Sequence, residues 1–184
     1  MKLKPIGTIR TPFTTPAGTP IQPALARGAK GRVEVLKRYR DALKDLDGFD
    51  RIWLIYWFDR VSQVRLAVTP FLDTVERGLF ATRAPCRPNP IGMSPVRLLR
   101  IEGTVLHVAD VDILDGTPLI DIKPYAPRFD RFDVARSGWL DHVPPGPAVA
   151  DDRFAPGKPF TPDDRFVEKK DDDEPRPPGK VEWV

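Results

Sequence analysis

The chain has 184 residues, the length of one domain, and its 41% apolar and 30% charged residues are ordinary for a folded protein and exclude wholesale disorder. Its 22 prolines, about 12% of the residues against a usual ~5%, disfavour a bundle of long helices. The single cysteine, Cys86, excludes an internal disulfide and a multi-cysteine zinc site, and two histidines are too few for a histidine-based metal centre.

The net charge of +3 is unevenly distributed along the chain. Residues 1–142 carry 22 basic and 16 acidic side chains, whereas residues 143–184 carry 7 basic and 10 acidic ones. A mildly basic body is compatible with a polyanionic partner. No stretch approaches the ~18 apolar residues of a membrane span, and the N-terminus lacks the apolar segment of a signal peptide, so we expect a cytoplasmic protein that does not cross a membrane.

The first part of the chain is predicted to form strands around one short helix. Residues 3–10 predict a strand, and residues 11–31, rich in proline, glycine and threonine, predict a long loop. Alternating apolar residues indicate a second strand over 32–36. Apolar residues then recur at three- and four-residue steps over 36–46, which is typical of a short amphipathic helix that ends before Gly48.

The central part of the chain is predicted to consist almost entirely of strands. Residues 51–58 are mostly β-branched or aromatic and predict a central strand. Further short strands are predicted at 64–68, 79–82, 96–101, 105–111 and 119–122. Many short strands, one helix and many turns indicate a mainly β protein, either a small antiparallel β-barrel or a sandwich.

The C-terminal segment differs in composition from the rest. Residues 143–184 contain nine of the prolines and the acidic run 171–174, so they cannot build a core of their own, although they include four large aromatic residues. We therefore predict a body over residues 1–142 and a proline-rich, extended tail over 143–184 that lies along the body or a partner subunit. A disordered tail is the alternative that this composition allows.

Two unusual loops could carry chemistry. In the first, residues 78–94, three prolines within six residues fix an extended backbone from which Arg83 and Arg87 project. Two guanidinium groups on a stiff loop are suited to binding a carboxylate or a phosphate. The alternative is a structural turn whose arginines pair with acids of the body.

The second loop holds four aspartates within residues 110–121, and Asp115-Gly116 followed by Thr-Pro is a turn signal at a strand end. Oxygen ligands alone could hold calcium or magnesium, but the spacing is not that of a calcium-binding loop and Lys123 lies close by. We therefore expect no metal site. A ligand contacted by carboxylates and exposed backbone fits these residues better.

The two loops together resemble the TsaA-like (TrmO) family of tRNA methyltransferases. The resemblance rests on Arg-Pro-Asn-Pro-Ile-Gly-Met-Ser at 87–94, Asp-Gly-Thr-Pro at 115–118 and Asp-Ile-Lys-Pro-Tyr at 121–125. Three further segments fit in the same order, at 6–13, 20–22 and 46–53. The resemblance covers about residues 3–140.

This resemblance implies a β-barrel that uses S-adenosyl-L-methionine without a Rossmann fold, in agreement with the absence of a glycine-rich dinucleotide motif. It implies a homodimer with the cofactor near the subunit interface. It also implies that tRNA is the substrate, with methyl transfer to N6 of threonylcarbamoyl-adenosine next to the anticodon. Basic side chains of the body would then hold the RNA backbone; the candidates are Arg10, Arg32, Lys37, Arg38, Arg40 and Arg87.

Carried over onto this sequence, the resemblance implies cofactor contacts from several separate segments. These contacts are Pro20, Ile21, Gln22, Phe58, Asp59, Arg83, Met93, Leu114, Asp115, Gly116 and Thr117. Arg83 is suited to the methionine carboxylate and Phe58 to the adenine or the sulfonium. Gln22 offers an amide, and Asp115 offers an acceptor for ribose hydroxyls.

Two departures from the family keep other functions open. Asp59 stands where the family commonly has a histidine, so Asp59 and Asp115 are the candidate proton acceptors. Longer relatives also carry a folded domain after the barrel, where this chain has the proline-rich tail. The alternatives are a methyltransferase of the same fold that acts on another RNA or a small molecule, and a non-catalytic module that binds S-adenosylmethionine or nucleic acid.

Overall fold

A computed structural model describes residues 3–155 and shows a mainly β protein. Six antiparallel strands close into a barrel in the order β1, β2, β7, β6, β3, β8. Their bounds are Gly7–Arg10 (β1), Lys30–Val35 (β2), Arg51–Trp57 (β3), Ile91–Glu102 (β6), Val105–Ala109 (β7) and Pro118–Pro124 (β8). A separate two-stranded sheet pairs Ala67–Val68 (β4) with Arg77–Gly78 (β5). The predicted fold class is therefore confirmed.

Helices in the described part of the chain are short. One α-helix, α1, spans Pro127–Asp130. The 3₁₀ helices span Pro23–Leu25, Lys37–Leu43, Leu46–Gly48, Leu79–Ala81 and Gly138–His142. No helix among these residues is long and apolar enough to cross a membrane.

The amphipathic helix predicted over 36–46 is instead two 3₁₀ helices. Asp45 has a φ of 64°, in the left-handed region, and this conformation interrupts the helix between Leu43 and Leu46. Tyr39 and Leu43 from the first helix and Leu46 from the second all pack against the barrel core. The predicted stripe is therefore inward-facing over residues 39–46 and is assembled from two helices, whereas Leu36, its first residue, is exposed.

Several predicted strands differ from those observed. The strand expected over 79–82 is wrong: Leu79–Ala81 is a 3₁₀ helix, because the backbone N–H and the side-chain hydroxyl of Thr82 both donate to the Leu79 carbonyl, at 3.0 and 2.8 Å. The strand expected over 64–68 is reduced to β4, outside the barrel. The strand expected over 105–111 ends at Ala109, because the φ of Asp110 is 64°.

The barrel interior is filled by alternating residues of its strands. In β3, Ile52, Leu54 and Tyr56 point inward and are almost without exposed surface. The same alternation in the other strands contributes fully buried residues to this core, among them Ile9, Val33, Val96, Leu106, Val108 and Leu119. Because side chains alternate between the two faces of a strand, the intervening residues of β3 face outward.

A second hydrophobic cluster lies beside the barrel. It consists of the buried side chains of Val68, Leu79, Ala84 and Cys86, with Val61 and Phe154 packed against them; we call it the satellite cluster. Its buried members come from β4, a 3₁₀ helix and the proline-rich loop, whereas Phe154 comes from far along the chain. The satellite cluster anchors the proline-rich loop to the body.

Residues 148–154, which we call the strap, lie along the body. Val149 pairs with Pro20 in an antiparallel bridge, and the Ala150 N–H donates to the Thr19 carbonyl at 2.7 Å. Phe154 meets the ring of Phe71 edge-on at 5.1 Å. The acidic run at 171–174 lies outside the described residues, and the division into a body over 1–142 and a tail stays a prediction.

Candidate functional site

A cavity of about 350 Å³ opens between the barrel and the satellite cluster. Tyr56 and Phe58 line it where β3 ends, and Gly92 and Met93 line it where β6 begins. Loop residues 19–22 close one side, and the strap contributes Ala150 and Phe154. The barrel therefore supplies the floor of this cavity, whereas loops and the strap supply its rim.

Gly92 is required by the packing of this floor. A Cβ atom at Gly92 would lie 2.9 Å from the tip of the Phe58 ring and in direct conflict with the Tyr56 ring. Phe58 and Tyr56 themselves pack edge-to-face, with ring centroids 5.2 Å apart. Glycine at this point of the Pro-Ile-Gly motif thus lets two aromatic rings form the cavity floor.

Gln22 and Arg83 join the two rim loops across the cavity. Arg83 Nη1 donates to Gln22 Oε1 at 2.6 Å. No other hydrogen bond of the Arg83 guanidinium is formed within residues 3–155, so most of its donors remain available. A planar guanidinium with several donors directed from a rim is suited to a bidentate carboxylate.

Arg87 contacts the backbone of its own loop through one guanidinium nitrogen. Its Nη1 donates to the carbonyl of Thr82 at 3.0 Å and lies 3.4 Å from that of Leu79. Although Arg87 contributes to the cavity wall, this guanidinium group braces the proline-rich loop. Its hydrogen-bond partners are backbone carbonyls. The structural-turn alternative instead predicts that Arg87 pairs with acids of the body.

The residues of the Asp115-Gly116-Thr117 turn are divided between the wall and its support. Thr117 and the preceding Leu114 line the cavity, and the Thr117 hydroxyl donates to the Leu114 carbonyl at 2.8 Å. Asp115 and Gly116 do not form part of the wall. Gly116 has a φ of 79°, which favours glycine in this turn.

The carboxylate of Asp115 is occupied by Arg10, the last residue of β1, and by Thr11, which follows it. Asp115 Oδ1 accepts a hydrogen bond from the Thr11 N–H at 3.0 Å, and Oδ2 lies 3.9 Å from Arg10 Nη1. Arg60 donates to the Asp115 carbonyl. These contacts hold the turn in place beside the cavity.

The other predicted contact residues lie on the wall. Pro20, Ile21, Gln22, Phe58, Asp59, Arg83, Met93, Leu114 and Thr117 all line the cavity. Asp59 lies exposed and has no ion-pair partner within the described residues. The structure thus brings together nine residues from distant parts of the sequence, while Asp115 and Gly116 stand behind them.

Sequence reasoning missed a hydrogen-bonded chain in the cavity floor formed by Tyr56, Ser94 and Asp112. Ser94 Oγ donates to Asp112 Oδ1 at 2.7 Å, and Tyr56 Oη lies 3.1 Å from Ser94 Oγ. Tyr56 and Ser94 are buried, and Asp112 is half-buried on the cavity wall. Asp112 belongs to the aspartate-rich loop noted in the sequence, but spacing alone could not show which of the four faces the cavity.

Burial controls the protonation of this chain. Desolvation raises the pKa of Asp112 to about 6, although the Ser94 hydrogen bond and the Arg83 charge act in the opposite direction. Desolvation also raises the pKa of Tyr56, and the nearby Asp112 carboxylate adds to that effect. Tyr56 is therefore a neutral hydroxyl at physiological pH, and Asp112 holds a proton more readily than an exposed aspartate does.

The basic residues expected to hold RNA do not share one face. Strand β2 pairs with β1 so that Val35 lies opposite Gly7, and the helix Lys37–Leu43 that follows lies at the start of β1. The cavity lies beyond the other end of β1, where Arg10 and Arg60 approach Gly116. Lys37, Arg38 and Arg40 are therefore separated from the cavity, whereas Arg60 lines it and Arg10 lies beside the Gly116 turn behind the wall.

No group of three or more histidine, cysteine, aspartate or glutamate side chains in residues 3–155 is placed to hold a metal ion. The site is instead a half-open, largely apolar cavity with an arginine on its rim and a carboxylate in its floor. Such a site is suited to a zwitterionic small molecule that carries an aromatic group.

Comparison with known proteins connects this cavity to one family. Residues 8–131 match the family model described as the tRNA-methyltransferase O N-terminal domain. A probable S-adenosyl-L-methionine-binding protein of Pyrococcus abyssi is 50% identical over 138 residues, which cover 75% of both chains. The tRNA (adenine(37)-N6)-methyltransferase of Escherichia coli is 34% identical over 149 residues, covering 76% of this chain and 63% of that protein.

A solved structure is similar in the same region. The crystal structure of TrmO from Pseudomonas aeruginosa matches with a TM-score of 0.64 at 39% identity, over 75% of this chain and 62% of that one. The present chain therefore spans less than two thirds of the length of the Escherichia coli and Pseudomonas aeruginosa proteins.

Proposed function

The chain belongs to the tRNA-methyltransferase O family, and on this premise we propose that it is an S-adenosyl-L-methionine-dependent methyltransferase that modifies N6 of threonylcarbamoyl-adenosine next to the anticodon of tRNA. The resemblance found in the sequence is thereby confirmed. The cavity between barrel and satellite cluster is the proposed cofactor site. A cytoplasmic location, where tRNA would be encountered, is part of the proposal.

The observation that carries the proposal is the chemistry of this cavity. Its volume of about 350 Å³ lies within the range of roughly 300–1,000 Å³ of small-molecule sites. The available donors of Arg83 fit the carboxylate of the methionine moiety, and the Phe58 ring fits an adenine or a cation. When bound, S-adenosyl-L-methionine supplies a methyl group on a sulfonium leaving group.

The chain's own residues act mainly by orientation. Gln22 fixes the rim position of Arg83, and the Thr11 and Arg60 contacts hold the turn that presents Leu114 and Thr117. Holding the two reactants in line can lower a barrier by about 7–11 kcal/mol. Asp59 and Asp115 are the proton acceptors expected from the sequence; Asp59 borders the cavity, and Asp115 supports the turn.

We place the tRNA at the rim that bears Arg60, with Arg10 behind it at the Gly116 turn. Arg10 is partly offset by Glu34 at 3.2 Å, whereas Arg60 is exposed and has no acidic partner within residues 3–155. Each phosphate that is neutralised contributes about −0.7 to −0.9 to the slope of log affinity against log salt. Arg60→Ala is therefore expected to reduce that slope by about one such unit. Arg38→Ala, at the other end of β1, serves as the matched control and leaves the slope unchanged.

We also propose that a second copy of this chain covers the outer face of β3 and β6. Trp53, Ile55 and Trp57 of β3 face outward opposite Pro95, Met93 and Ile91 of β6. Met93 belongs both to this face and to the cavity wall, so a second copy would border the cofactor site. The loop at 84–90 leads directly into this face, as expected for an interface loop.

The dimer is tested by light scattering at micromolar concentration. Ile55→Glu is expected to give a monomer, because it places a charge in the centre of the face. Val134→Glu, at an apolar side chain that is 71% exposed on another surface, is the control and leaves the assembly unchanged. A monomeric parent protein would contradict the proposal.

The activity is tested with unmethylated tRNA that carries threonylcarbamoyl-adenosine. The protein is incubated with this tRNA and S-adenosyl-L-methionine, and mass spectrometry of the nucleosides is expected to show one added methyl group on that base. A methylated product from unmodified adenosine would show that threonylcarbamoyl-adenosine is not the required substrate. Cofactor binding without methyl transfer to any tRNA would favour a non-catalytic module.

Cofactor binding is tested separately by calorimetry. Arg83→Ala is expected to weaken binding by about 1.5–3 kcal/mol, the range for a hydrogen bond to a charged group. Arg136→Ala is the control, because Arg136 is exposed and away from the cavity wall. Equal affinities of the two variants would remove Arg83 from the site.

A further inference from the structure

The cavity floor contains a carboxylate that has one engaged and one available oxygen. Asp112 Oδ1 accepts the hydrogen bond from Ser94 Oγ at 2.7 Å. Asp112 Oδ2 has no hydrogen-bond partner on another residue within 3–155. Every fully buried side-chain oxygen in that range does have a partner, so Oδ2 is not fully buried. Oδ2 is therefore accessible from the cavity that Asp112 lines.

The hydrogen bonds orient this carboxylate. A serine hydroxyl has one proton, and Ser94 gives it to Asp112, so the Tyr56 hydroxyl donates to Ser94 Oγ. Strands β3 and β6 are paired in the closed barrel, with Tyr56 opposite Gly92 and Ser94 opposite Leu54. Tyr56 and Ser94 thus hold Asp112 Oδ1 from two paired barrel strands, and Oδ2 is left as the oxygen available to a ligand in the cavity that Asp112 lines.

We propose that Asp112 is the proton acceptor of the methyl transfer, a role that rests on the function proposed above. In that step the bond between N6 and the methyl carbon forms with the nitrogen electron pair, and the bond between the methyl carbon and the sulfonium sulfur breaks, leaving a neutral thioether. The proton of N6 passes to Asp112 Oδ2, which becomes a neutral carboxylic acid. Atoms and charge balance without a further reactant.

A base is needed because the carbamoylated N6 is a poor nucleophile while it retains its proton. The charged and titratable groups around Asp112 are Arg83 from the rim, Tyr56 from the floor and, farther along the wall, Asp59, Arg60 and Arg87. The pKa of Asp112 is raised to about 6 by desolvation. A carboxylate with this pKa is ionised at neutral pH and is a stronger base than an exposed aspartate.

The two aspartates expected from the sequence are less suited to this task. The Asp115 carboxylate is occupied by the Thr11 N–H and by Arg10, and it does not line the cavity. Asp59 lines the cavity but is exposed, so water competes for its oxygens. Asp112 combines a place on the wall, partial burial and a fixed orientation.

The test compares single-turnover methylation of tRNA by the parent protein and by variants across pH 5 to 9, alongside cofactor binding by calorimetry. Asp112→Asn is expected to lower the rate by roughly 100-fold or more while cofactor affinity changes by less than about threefold. Asp47→Asn is the matched control, because Asp47 is exposed in a 3₁₀ helix away from the cavity. It is expected to behave as the parent protein.

A second variant probes the same group without removing it. The Ser94 hydrogen bond lowers the pKa of Asp112, so Ser94→Ala raises that pKa. The acidic limb of the rate profile, where Asp112 becomes protonated, is then expected to move to higher pH. This variant decides the question if Asp112→Asn does not fold.

Each outcome bears on a different proposal. A parent protein that binds cofactor but methylates no tRNA overturns the proposed function and this role with it. A parent protein that methylates tRNA while Asp112→Asn keeps the full rate and the same pH profile overturns the role of Asp112 alone. Loss of cofactor binding in Asp112→Asn would make Asp112 a binding residue and would also overturn the role. An unmoved acidic limb in Ser94→Ala would show that the rate does not follow the protonation of Asp112, which overturns the role as well.

Discussion

The barrel core and the satellite cluster bury their apolar side chains in different ways. Inward residues of six strands fill the barrel, and side chains such as Leu54 have no exposed surface. The satellite cluster has four buried members, which come from β4, a 3₁₀ helix and the proline-rich loop, and it is completed by Phe154 of the strap. Because the cavity lies between these two regions, the barrel strands position Tyr56 and Ser94, which hold Asp112 of the 110–117 loop, while another loop positions Arg83. The barrel side of the cavity thus carries the proposed chemistry, and the loop side carries the proposed contact with the carboxylate of the ligand.

The largest expected effect comes from removing volume in each region. Leu54→Ala is expected to lower the free energy of unfolding by about 2–5 kcal/mol, because the closed barrel cannot collapse around the cavity that it leaves. Leu79→Ala, at a side chain that is 2% exposed, is expected to cost less because loops can relax. Denaturant unfolding of both variants measures the two changes. An equal cost would show that the satellite cluster is as rigid as the barrel.

A smaller effect is expected where the barrel meets the cavity. Gly92→Ala introduces a Cβ against Tyr56 and Phe58 and is expected to cost about 1–3 kcal/mol, the usual range for overpacking, and to weaken cofactor binding. Gly48→Ala is the control, because nothing lies within 4 Å of the Cβ that it adds. Thermal or denaturant unfolding compares them. A Gly92→Ala protein with parental stability would mean that the aromatic floor can move.

Asp110 and Asp112, two residues apart, are expected to affect the free energy of unfolding in opposite directions at neutral pH. Desolvation raises the pKa of Asp112 from 3.8 to about 6, so its burial favours the protonated form and opposes folding once the carboxylate ionises. Asp112→Asn is therefore expected to stabilise the protein by about 1–2 kcal/mol above pH 7, after allowance for partial exposure, and to have little effect below pH 4. Unfolding at both pH values checks this sign.

Asp110 is the contrasting case. It is 9% exposed, and its carboxylate accepts hydrogen bonds from Arg51 at 2.8 Å and from the Gly28 N–H at 2.9 Å. Asp110→Asn is expected to destabilise the protein at neutral pH, because it weakens a charged pair that is partly buried. If Asp112→Asn also destabilised the protein above pH 7, Asp112 would be structural like Asp110, and its proposed role would lose support.

The sequence predicted the barrel well because a strand records its environment locally. Alternation in residues such as Ile52 and Leu54 reflects one buried face, and the antiparallel class followed from many short strands. The wrong strand at 79–82 lies in the satellite region, where a Thr82 side-chain bond closes a turn. No periodicity in the sequence encodes such a contact.

The candidate site was predicted in part for the same reason. Motif resemblance identified Gln22 and Arg83, which line the cavity and meet at 2.6 Å. Asp112 was missed because its role depends on Ser94 and Tyr56, which come from other strands and lie 18 and 56 positions away along the chain. Which aspartate of a loop turns inward is decided by tertiary packing, and sequence spacing does not record it.

The smallest expected effect on folding comes from the strap. Phe154 packs on Phe71 and lines the cavity, but the barrel core makes no use of it. Phe154→Ala is therefore expected to change the free energy of barrel unfolding by less than about 0.5 kcal/mol and to weaken cofactor binding by about three- to tenfold, because the cavity loses an aromatic part of its wall. Phe132→Ala, at a ring that is 76% exposed, is the control for removing an aromatic side chain. Calorimetry and denaturant unfolding of the two variants separate binding from stability. A Phe154→Ala protein that binds cofactor as tightly as its parent would show that the strap only covers the rim, whereas one that unfolds much earlier would join the satellite cluster to the barrel as a single cooperative unit.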